Sequence, residues 1–232
     1  MVRRGGAVHP RHHHRGGPLS ALLFDFGGPI LLSPFELWRI GERSLGLPEG
    51  TFTWTGPFDP AADPGWQAVQ DGTLKERAYW AARVQEFSEL TGEPAEMPRL
   101  MMHLYDGSVE EVTRAEARSL MADVRAAGIP LGLLTNDMHA FHDKSWIDTM
   151  APVLDLFDVV VDGSLTGFLK PDPRAFEMAL EQLGVPAEGT VFIDDLRSNL
   201  EGAAAVGLIP VFLDVTDPGP AFDEVRALLG LA

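Results

Sequence analysis

Residues 190–213, TVFIDDLRSNLEGAAAVGLIPVFL, decide the fold of this chain. The pattern predicts an apolar strand over 190–194, a helix over about 198–206 and a second apolar strand over 208–213. Neither strand shows a polar face, which is typical of a parallel sheet covered by helices on both sides. The stretch therefore predicts an open α/β sandwich.

The same alternation extends toward the N-terminus. We expect strands over 19–26, 129–134 and 158–161, and helices over about 138–150, over 173–183 and from about 220 onward. Thr113 is the predicted N-cap of a helix over 113–127, with Glu116 completing a capping box and Gly128 ending the helix.

The first two predicted strands are separated by a long polar, aromatic-rich interval. Its periodicity predicts helices at about 35–45, 74–90 and 98–105. We therefore divide the chain into a disordered tail (1–17), an α/β core (18–34 and 113–232) and a helical cap (35–112). The term cap segment is used below for residues 35–112.

Composition limits the classes of partner. The chain has 34 acidic and 18 basic residues, a formal charge of −16, and no cysteine. This charge disfavours nucleic acid and anionic membranes, and the lack of cysteine excludes disulfides and thiolate chemistry. The longest nearly uncharged apolar stretch, 203–213, is shorter than the roughly 20 residues that a membrane span needs. We expect a cytoplasmic protein, a monomer or homodimer, with a small-molecule partner.

Polar side chains close the predicted strands. Asp25 ends the first strand, Thr135-Asn136-Asp137 the second, and Asp194-Asp195 the fourth, while a loop after the third leads to Lys170. Because parallel strands end at one edge of the sheet, these groups should converge. A carboxylate nucleophile, a hydroxyl and amide, a lysine and an acidic doublet are the groups that phosphoryl transfer requires.

Four stretches, LLFDFGGPI, LGLLTND, GFLKPDPRAF and VFIDDLRSNLEGA, occur in the order and at the strand ends seen in the haloacid dehalogenase (HAD) superfamily. The chain resembles this family over roughly residues 19–215. Within it, the chain is most similar to phosphatases with a helical cap after the first strand, such as the amino-terminal domain of soluble epoxide hydrolase and bacterial sugar-phosphate phosphatases.

The resemblance implies a Mg²⁺-dependent hydrolase acting on a small phosphorylated metabolite. Asp25 would be the nucleophile that forms an aspartyl-phosphate, Thr135 and Asn136 would hold the phosphoryl group, and Lys170 would neutralise it. Mg²⁺ would be bound by Asp25, the Gly27 carbonyl, Asp195 directly and Asp194 through water. The doublet could also serve as a helix N-cap, since it precedes a helix.

Gly27 departs from the family pattern, in which this position is normally an aspartate that moves protons. A glycine leaves three readings open: slow hydrolysis, a substrate or another residue that makes up for the missing acid, or a catalytically weakened protein that binds phosphate and regulates. General acid–base catalysis contributes roughly 10²- to 10⁴-fold, so the loss matters. His139 and His142 are candidates for the proton transfer, or helix surface residues.

Other chemistries of the family are alternatives. A dehalogenase would have no need of Asp194-Asp195, and a phosphonatase would require a cap lysine, for which Lys75 is the candidate or else a solvated side chain. The aromatic residues of the cap segment could line an apolar substrate pocket or form its packing core; they are Phe52, Trp54, Phe58 and Trp66.

Overall fold

The computed structural model describes residues 21–231, so the predicted tail over 1–17 lies outside the described residues. One parallel sheet has the strand order β3-β2-β1-β4-β5. The chain leaves the central strand in opposite directions, which places the topological switch point at the carboxyl end of β1. The strands are Ala21–Phe24 (β1), Leu131–Thr135 (β2), Val159–Asp162 (β3), Thr190–Asp194 (β4) and Ile209–Phe212 (β5).

Helices cover both faces of the sheet because every central strand is apolar on both sides. Leu22 and Phe24 of β1 join the larger core cluster, while Ala21 and Leu23 join the smaller one. This confirms the predicted open α/β sandwich. Helices α6 (Ala115–Ala126) and α13 (Gly219–Leu228) pack on the first face, and α11 (Pro173–Leu183) and α12 (Arg197–Ala205) pack on the second.

The cap segment is helical, as predicted. A helix missed by the sequence reading, α2, begins after Asp63, whose side chain accepts a hydrogen bond from the Trp66 N–H and caps the helix. Its shortness hid it from a periodicity argument. The elements are α1 (Pro34–Leu45), a 3₁₀ turn (Gly56–Phe58), α2 (Pro64–Gln70), α3 (Glu76–Thr91), α4 (Met97–Leu104) and α5 (Val109–Val112).

The two ends of the cap segment lie side by side. The N–H of Leu32 donates to the carbonyl of Val112 and that of Arg114 to the carbonyl of Ile30, at 2.9 and 2.8 Å. The buried guanidinium of Arg114 also pairs with Glu36 through two hydrogen bonds of 3.0 and 2.6 Å. The chain thus enters and leaves the segment at one place; the division into cap and core stays a prediction.

Two local predictions are wrong: the N-cap at Thr113 and the single helix over 138–150. Thr113 is not a helix N-cap: it is extended, bridges Leu31, and its hydroxyl donates to the Val109 carbonyl, so α6 begins only at Ala115. The end of α6 is as predicted, with Gly128 in the left-handed region at φ 68°.

The helix predicted over 138–150 is divided into α7 (Met138–Phe141), α8 (Lys144–Thr149) and α9 (Ala151–Leu154). The break occurs because His142 is extended and Asp143 starts a new helix by accepting the Trp146 N–H at 2.8 Å. One further short helix, α10 (Gly163–Thr166), follows β3. Within residues 21–231, no helix combines the length and apolar character that a membrane crossing requires.

Candidate active site

The carboxyl ends of β1 and β4 bring two aspartates to the same level. Phe24 pairs with Ile193 in the sheet register, and the Asp25 N–H donates to the Ile193 carbonyl at 3.0 Å. Asp25 and Asp194 each follow one of these paired residues, so they end adjacent strands side by side. The switch point of the sheet therefore carries two acids at its centre.

Lys170 lies between these two acids. Its Nζ is 2.6 Å from Asp25 Oδ1 and 2.7 Å from Asp194 Oδ2, and only 1% of its side chain is exposed. Burial alone would lower the pKa of Lys170, but Asp194 and Asp25 together raise it above its ordinary value. The ammonium group is thus held charged in a buried site.

The two members of the acidic doublet have different surroundings. Asp194 is fully buried and both of its oxygens accept hydrogen bonds: Oδ1 from the Leu196 N–H at 2.8 Å, Oδ2 from Lys170, and both from the Asn199 amide. Asp195 lines the adjacent cavity. Asp194 is therefore an anchor for Lys170 and the start of α12, while Asp195 faces the space where a ligand would bind.

Gly28 lets Asp195 reach this position. Its φ is +85°, and a Cβ built on it would lie 2.7 Å from Asp195 Cγ, closer than side chains pack. The residue before it differs: a Cβ on Gly27 would have no atom of the described residues within 4 Å. Glycine is required at position 28 because Asp195 approaches its backbone closely, whereas Gly27 leaves open space beside Asp25.

The aspartates form a cluster that fits a divalent cation. Oxygens of Asp25, Asp194 and Asp195 lie within 4.8 Å of one another. Burial raises the pKa of Asp25 to about 7 despite the opposing effect of Lys170, and burial together with the neighbouring carboxylates raises the pKa of Asp195. One lysine leaves negative charge in excess, and an oxygen-only ligand set is what Mg²⁺ prefers.

Thr135 and Asn136 lie beside the cluster in different ways. Thr135 is buried at the end of β2 and lines the cavity. The side chain of Asn136 is engaged with the backbone of Lys170: its Nδ2 donates to the Lys170 carbonyl at 3.1 Å and its Oδ1 accepts the Lys170 N–H at 2.7 Å. The amide thus holds the lysine loop; that Thr135 and Asn136 bind phosphate stays a prediction.

A cavity of about 360 Å³ opens over the cluster. Asp25, Lys170 and Asp195 lie on the side of the sheet edge. The opposite wall comes from the cap segment and is largely apolar; it includes Phe35, Trp66, Trp80, Met101 and Tyr105. The cavity therefore joins a charged floor to an aromatic wall.

Two polar contacts hold the cap segment against this edge. Gln70 Nε2 donates to the Asp195 carbonyl at 3.3 Å, and Arg77 Nε donates to Asp137 Oδ1 at 2.9 Å. The first contact lies at the end of α2 and the second in the first turn of α3. The site is thus bounded by residues from both parts of the chain.

The histidines proposed for proton transfer are poorly placed for it. His139 is paired with Asp162 at 2.7 Å and does not line the cavity described above. His142 lines the cavity, but its ring stacks on Trp146 with centroids 3.7 Å apart, and burial lowers its pKa to about 3. His142 is therefore neutral at physiological pH.

The other cap candidates divide by location. Lys75 is exposed at the N-cap of α3 and does not line the cavity. Trp66 both packs on Phe35 and lines the cavity, whereas Phe52 and Trp54 are buried and stacked on each other at 4.7 Å. Phe58 is half exposed. The packing role holds for three of the four aromatic residues, and Trp66 also faces the cavity.

Sequence reasoning missed Glu76 and Asn199. Glu76 lines the cavity from the first turn of α3 and accepts a hydrogen bond from Trp80 Nε1 at 3.2 Å. Its only signal is the i, i+4 spacing from a tryptophan, which many surface glutamates share. Asn199 lies in the fourth motif, where an amide five residues after Asp194 could have been assigned as its donor.

Comparison with known proteins identifies the group to which the chain is similar. A family model described as haloacid dehalogenase-like hydrolase matches residues 60–207. Phosphoglycolate phosphatase of Yersinia pseudotuberculosis serotype I is 30% identical over 199 residues, covering 82% of this chain and 78% of that protein. The resemblance found in the four motifs is confirmed.

Two further comparisons concern length and fold. Acyl-CoA dehydrogenase family member 10 of Mus musculus is 30% identical over 237 residues, covering 96% of this chain. The chain spans only 21% of that protein. The crystal structure of the HAD-hydrolase YfnB from Bacillus subtilis bound to magnesium has a TM-score of 0.60 at 19% identity, covering 92% of this chain and 99% of that one. At this identity the likeness shows a shared fold.

Proposed function

Because the chain belongs to the haloacid dehalogenase-like hydrolases, we propose that it is a Mg²⁺-dependent phosphatase that acts through an aspartyl-phosphate on Asp25. The observation that carries this proposal is the buried Lys170 ammonium, 2.6 Å from Asp25 and 2.7 Å from Asp194. A lysine in this position favours the charged form of the Asp25 carboxylate against the burial that raises its pKa, and the charged carboxylate is the form that attacks as a nucleophile.

The residues of the sheet edge have separate roles in this proposal. Asp25 attacks phosphorus, and Lys170 stabilises the charge on the transferring oxygens. Asp25, Asp195 and the Gly27 carbonyl would hold Mg²⁺ directly, with Asp194 anchoring Lys170. When bound, the ion supplies charge neutralisation for the phosphate and for the crowded carboxylates. Thr135 and the backbone of Asn136 would orient the phosphoryl group.

The cavity lining favours a particular kind of phosphate monoester. Within residues 21–231, the Lys and Arg side chains that line the cavity are Lys170 and Arg197, and Arg197 is stacked on Phe212 at 4.1 Å. The wall from the cap segment is largely aromatic and apolar, with Gln67, Gln70 and Glu76 as its polar side chains. We therefore infer a substrate with one phosphate group and an uncharged, largely apolar organic part, which gains free energy by burial against Trp66 and Trp80.

The geometry is less favourable to the other chemistries of the family. Lys75, which a phosphonatase would use for a Schiff base, does not line the cavity. The acidic doublet beside Lys170 has no use in a dehalogenase. The second candidate is a phosphate-binding regulatory protein, favoured by the missing side chain at Gly27.

Phosphate release tests the proposal. The wild-type protein is assayed on aryl, alkyl and polar phosphate monoesters, with Mg²⁺ and with a chelator, and Asp25→Asn is the control. We expect metal-dependent release, fastest for apolar esters and absent in the variant. Release that survives Asp25→Asn would overturn the covalent mechanism, and phosphate binding without turnover of any ester would favour the regulatory protein.

A further inference from the structure

Gly27 leaves the proposed phosphatase without the acid that normally stands two residues after the nucleophile. An alkoxide leaving group needs a proton, and the water that later attacks phosphorus must lose one. Among residues 21–231, a Cβ on Gly27 would have nothing within 4 Å, so no side chain of this part of the chain fills the position. A residue that makes up for the missing acid would have to be another proton-carrying group that lines the same cavity.

We propose that the carboxyl group of Glu76, delivered from the cap segment, is the general acid and base of this site. This inference rests on the phosphatase function proposed above. Glu76 is the first residue of α3, is partly buried, and lines the same cavity as Asp25, Gly27 and Asp195. Trp80, one helical turn along α3, donates from Nε1 to Glu76 Oε1 at 3.2 Å and orients the carboxyl group.

The first turn of α3 is fixed over the sheet edge by the next residue. Arg77 donates from Nε to Asp137 Oδ1 at 2.9 Å, and Asp137 directly follows Asn136 at the end of β2. The Arg77 side chain is half exposed, whereas that of Asp137 is largely buried. Glu76 therefore reaches the site only while the cap segment rests on the sheet edge, which couples closure to proton transfer.

The surroundings keep Glu76 able to hold a proton near neutral pH. Burial raises its pKa to about 7, with Asp137 and Asp194 acting in the same direction and Trp80 and Lys170 opposing. Asp195, Tyr105 and Arg77 are the other titratable groups that interact with it. Tyr105 cannot replace it, because burial raises the pKa of this phenol further above its ordinary value.

The two steps balance in atoms and protons. Asp25 attacks phosphorus as the bond to the ester oxygen breaks, and the Glu76 proton passes to that oxygen to give the alcohol. Water then attacks the aspartyl-phosphate, Glu76 takes one proton from it, and the bond between Asp25 and phosphorus breaks. Hydrogen phosphate leaves, and Asp25 and Glu76 return to their starting states.

A matched pair of esters with different leaving groups tests this role. Benzyl phosphate expels an alkoxide that needs a proton, whereas 4-nitrophenyl phosphate expels a phenolate that does not. For Glu76→Gln, we expect kcat/KM to fall roughly 10²- to 10⁴-fold with benzyl phosphate and to stay within about tenfold with 4-nitrophenyl phosphate. Slow loss of the aspartyl-phosphate should then give a burst of nitrophenolate.

Three variants complete the design. Glu86→Gln is the matched control, because Glu86 lies on the same helix and accepts from the indole of Trp54 at 2.8 Å but does not line the cavity. It should behave as wild type. Arg77→Ala should show the same dependence on leaving group as Glu76→Gln, and Gly27→Asp combined with Glu76→Gln should recover hydrolysis of benzyl phosphate.

The outcomes separate this role from the phosphatase function. If wild type turns over both esters in an Asp25-dependent way and Glu76→Gln does so equally well, the role of Glu76 is wrong and the phosphatase stands. An equal loss with both esters that Gly27→Asp does not rescue would also overturn it, since it indicates damage to binding. Absence of Asp25-dependent turnover in wild type overturns the phosphatase and this role together.

Discussion

Asn136 and Lys170 exchange two hydrogen bonds, from the Asn136 amide to the Lys170 carbonyl at 3.1 Å and from the Lys170 N–H to the amide oxygen at 2.7 Å. The residues are far apart in sequence and join the ends of two loops at the sheet edge. The pair fixes the backbone from which the Lys170 side chain reaches Asp25. The side chain of Asn136 therefore positions Lys170. This role is independent of the proposed contact between the Asn136 backbone and a phosphate.

Asn136→Ala removes both hydrogen bonds. Because they are partly buried, we expect the free energy of unfolding to fall by about 1–3 kcal/mol, the scale for an unsatisfied buried polar group. Activity should fall as well, through displacement of Lys170. Denaturant unfolding and phosphate release measure the two effects, and an unchanged stability would show that the loop is held by other contacts.

Gly28→Ala and Gly27→Ala form a matched pair at adjacent positions. The first forces a side chain into the left-handed region at φ +85° and against Asp195, whereas the second fills open space. We expect Gly28→Ala to lower the free energy of unfolding by about 1–3 kcal/mol and to weaken Mg²⁺ binding, with little effect from Gly27→Ala. Thermal unfolding with and without Mg²⁺ compares them; equal behaviour would contradict the close contact with Asp195.

The contribution of Asp25 and Glu76 to the stability of the metal-free protein should fall as pH rises from about 4 to 7, whereas buried His142, with its lowered pKa, contributes in the opposite direction. Burial raises the pKa of Asp25 and of Glu76 to about 7, so the folded state binds more protons than the unfolded state in this range. The stabilising contribution of these two carboxyl groups is complete below the pKa that they have in the unfolded chain. It is lost as pH rises through the pKa that they have in the folded protein. Mg²⁺ should reverse the loss.

Asp195→Asn isolates one carboxyl group of this cluster. Since burial and neighbouring carboxylates raise the pKa of Asp195, its removal should stabilise the metal-free protein above pH 7 and abolish the stabilisation by Mg²⁺. Melting temperatures across pH, with a chelator or with Mg²⁺, provide the measurement. A variant that Mg²⁺ still stabilises to the wild-type extent would exclude Asp195 as a ligand.

His142→Phe tests whether a histidine moves protons in this site. The ring is buried against Trp146 and burial lowers its pKa to about 3, so it does not titrate between pH 5 and 9. We expect the shape of the pH–rate profile between pH 5 and 9 to be unchanged, with any loss confined to KM. A limb of the profile that disappears in the variant would restore His142 as the proton carrier.

Arg114→Met should destabilise the junction between the cap segment and the sheet. The buried guanidinium pairs with Glu36 and donates to the Gly28 carbonyl at 2.5 Å, so its loss leaves buried groups unpaired. We expect a loss of about 3–5 kcal/mol. Arg125→Met, which breaks the exposed pair with Asp158, is the control and should cost at most about 1 kcal/mol; equal losses would contradict the assignment.

The sequence by itself determined the architecture and the acidic and basic groups at the sheet edge. Strands such as β4 are apolar on both faces, so they could only be buried in a parallel sheet, and the residues that close them had to meet at one edge. This argument placed four candidate residues at the sheet edge: Asp25, Thr135, Lys170 and Asp195. The pattern of apolar residues along the chain is sufficient to show where each strand ends.

Tertiary structure decided what the neighbours of these groups do. Asn136 turns its amide to Lys170, Asp194 is saturated by Lys170, Leu196 and Asn199, and Glu76 reaches the cavity from a helix that begins 51 positions after Asp25. Side-chain hydrogen bonds between distant residues depend on how loops and the cap segment pack, and local propensity carries no information about that packing.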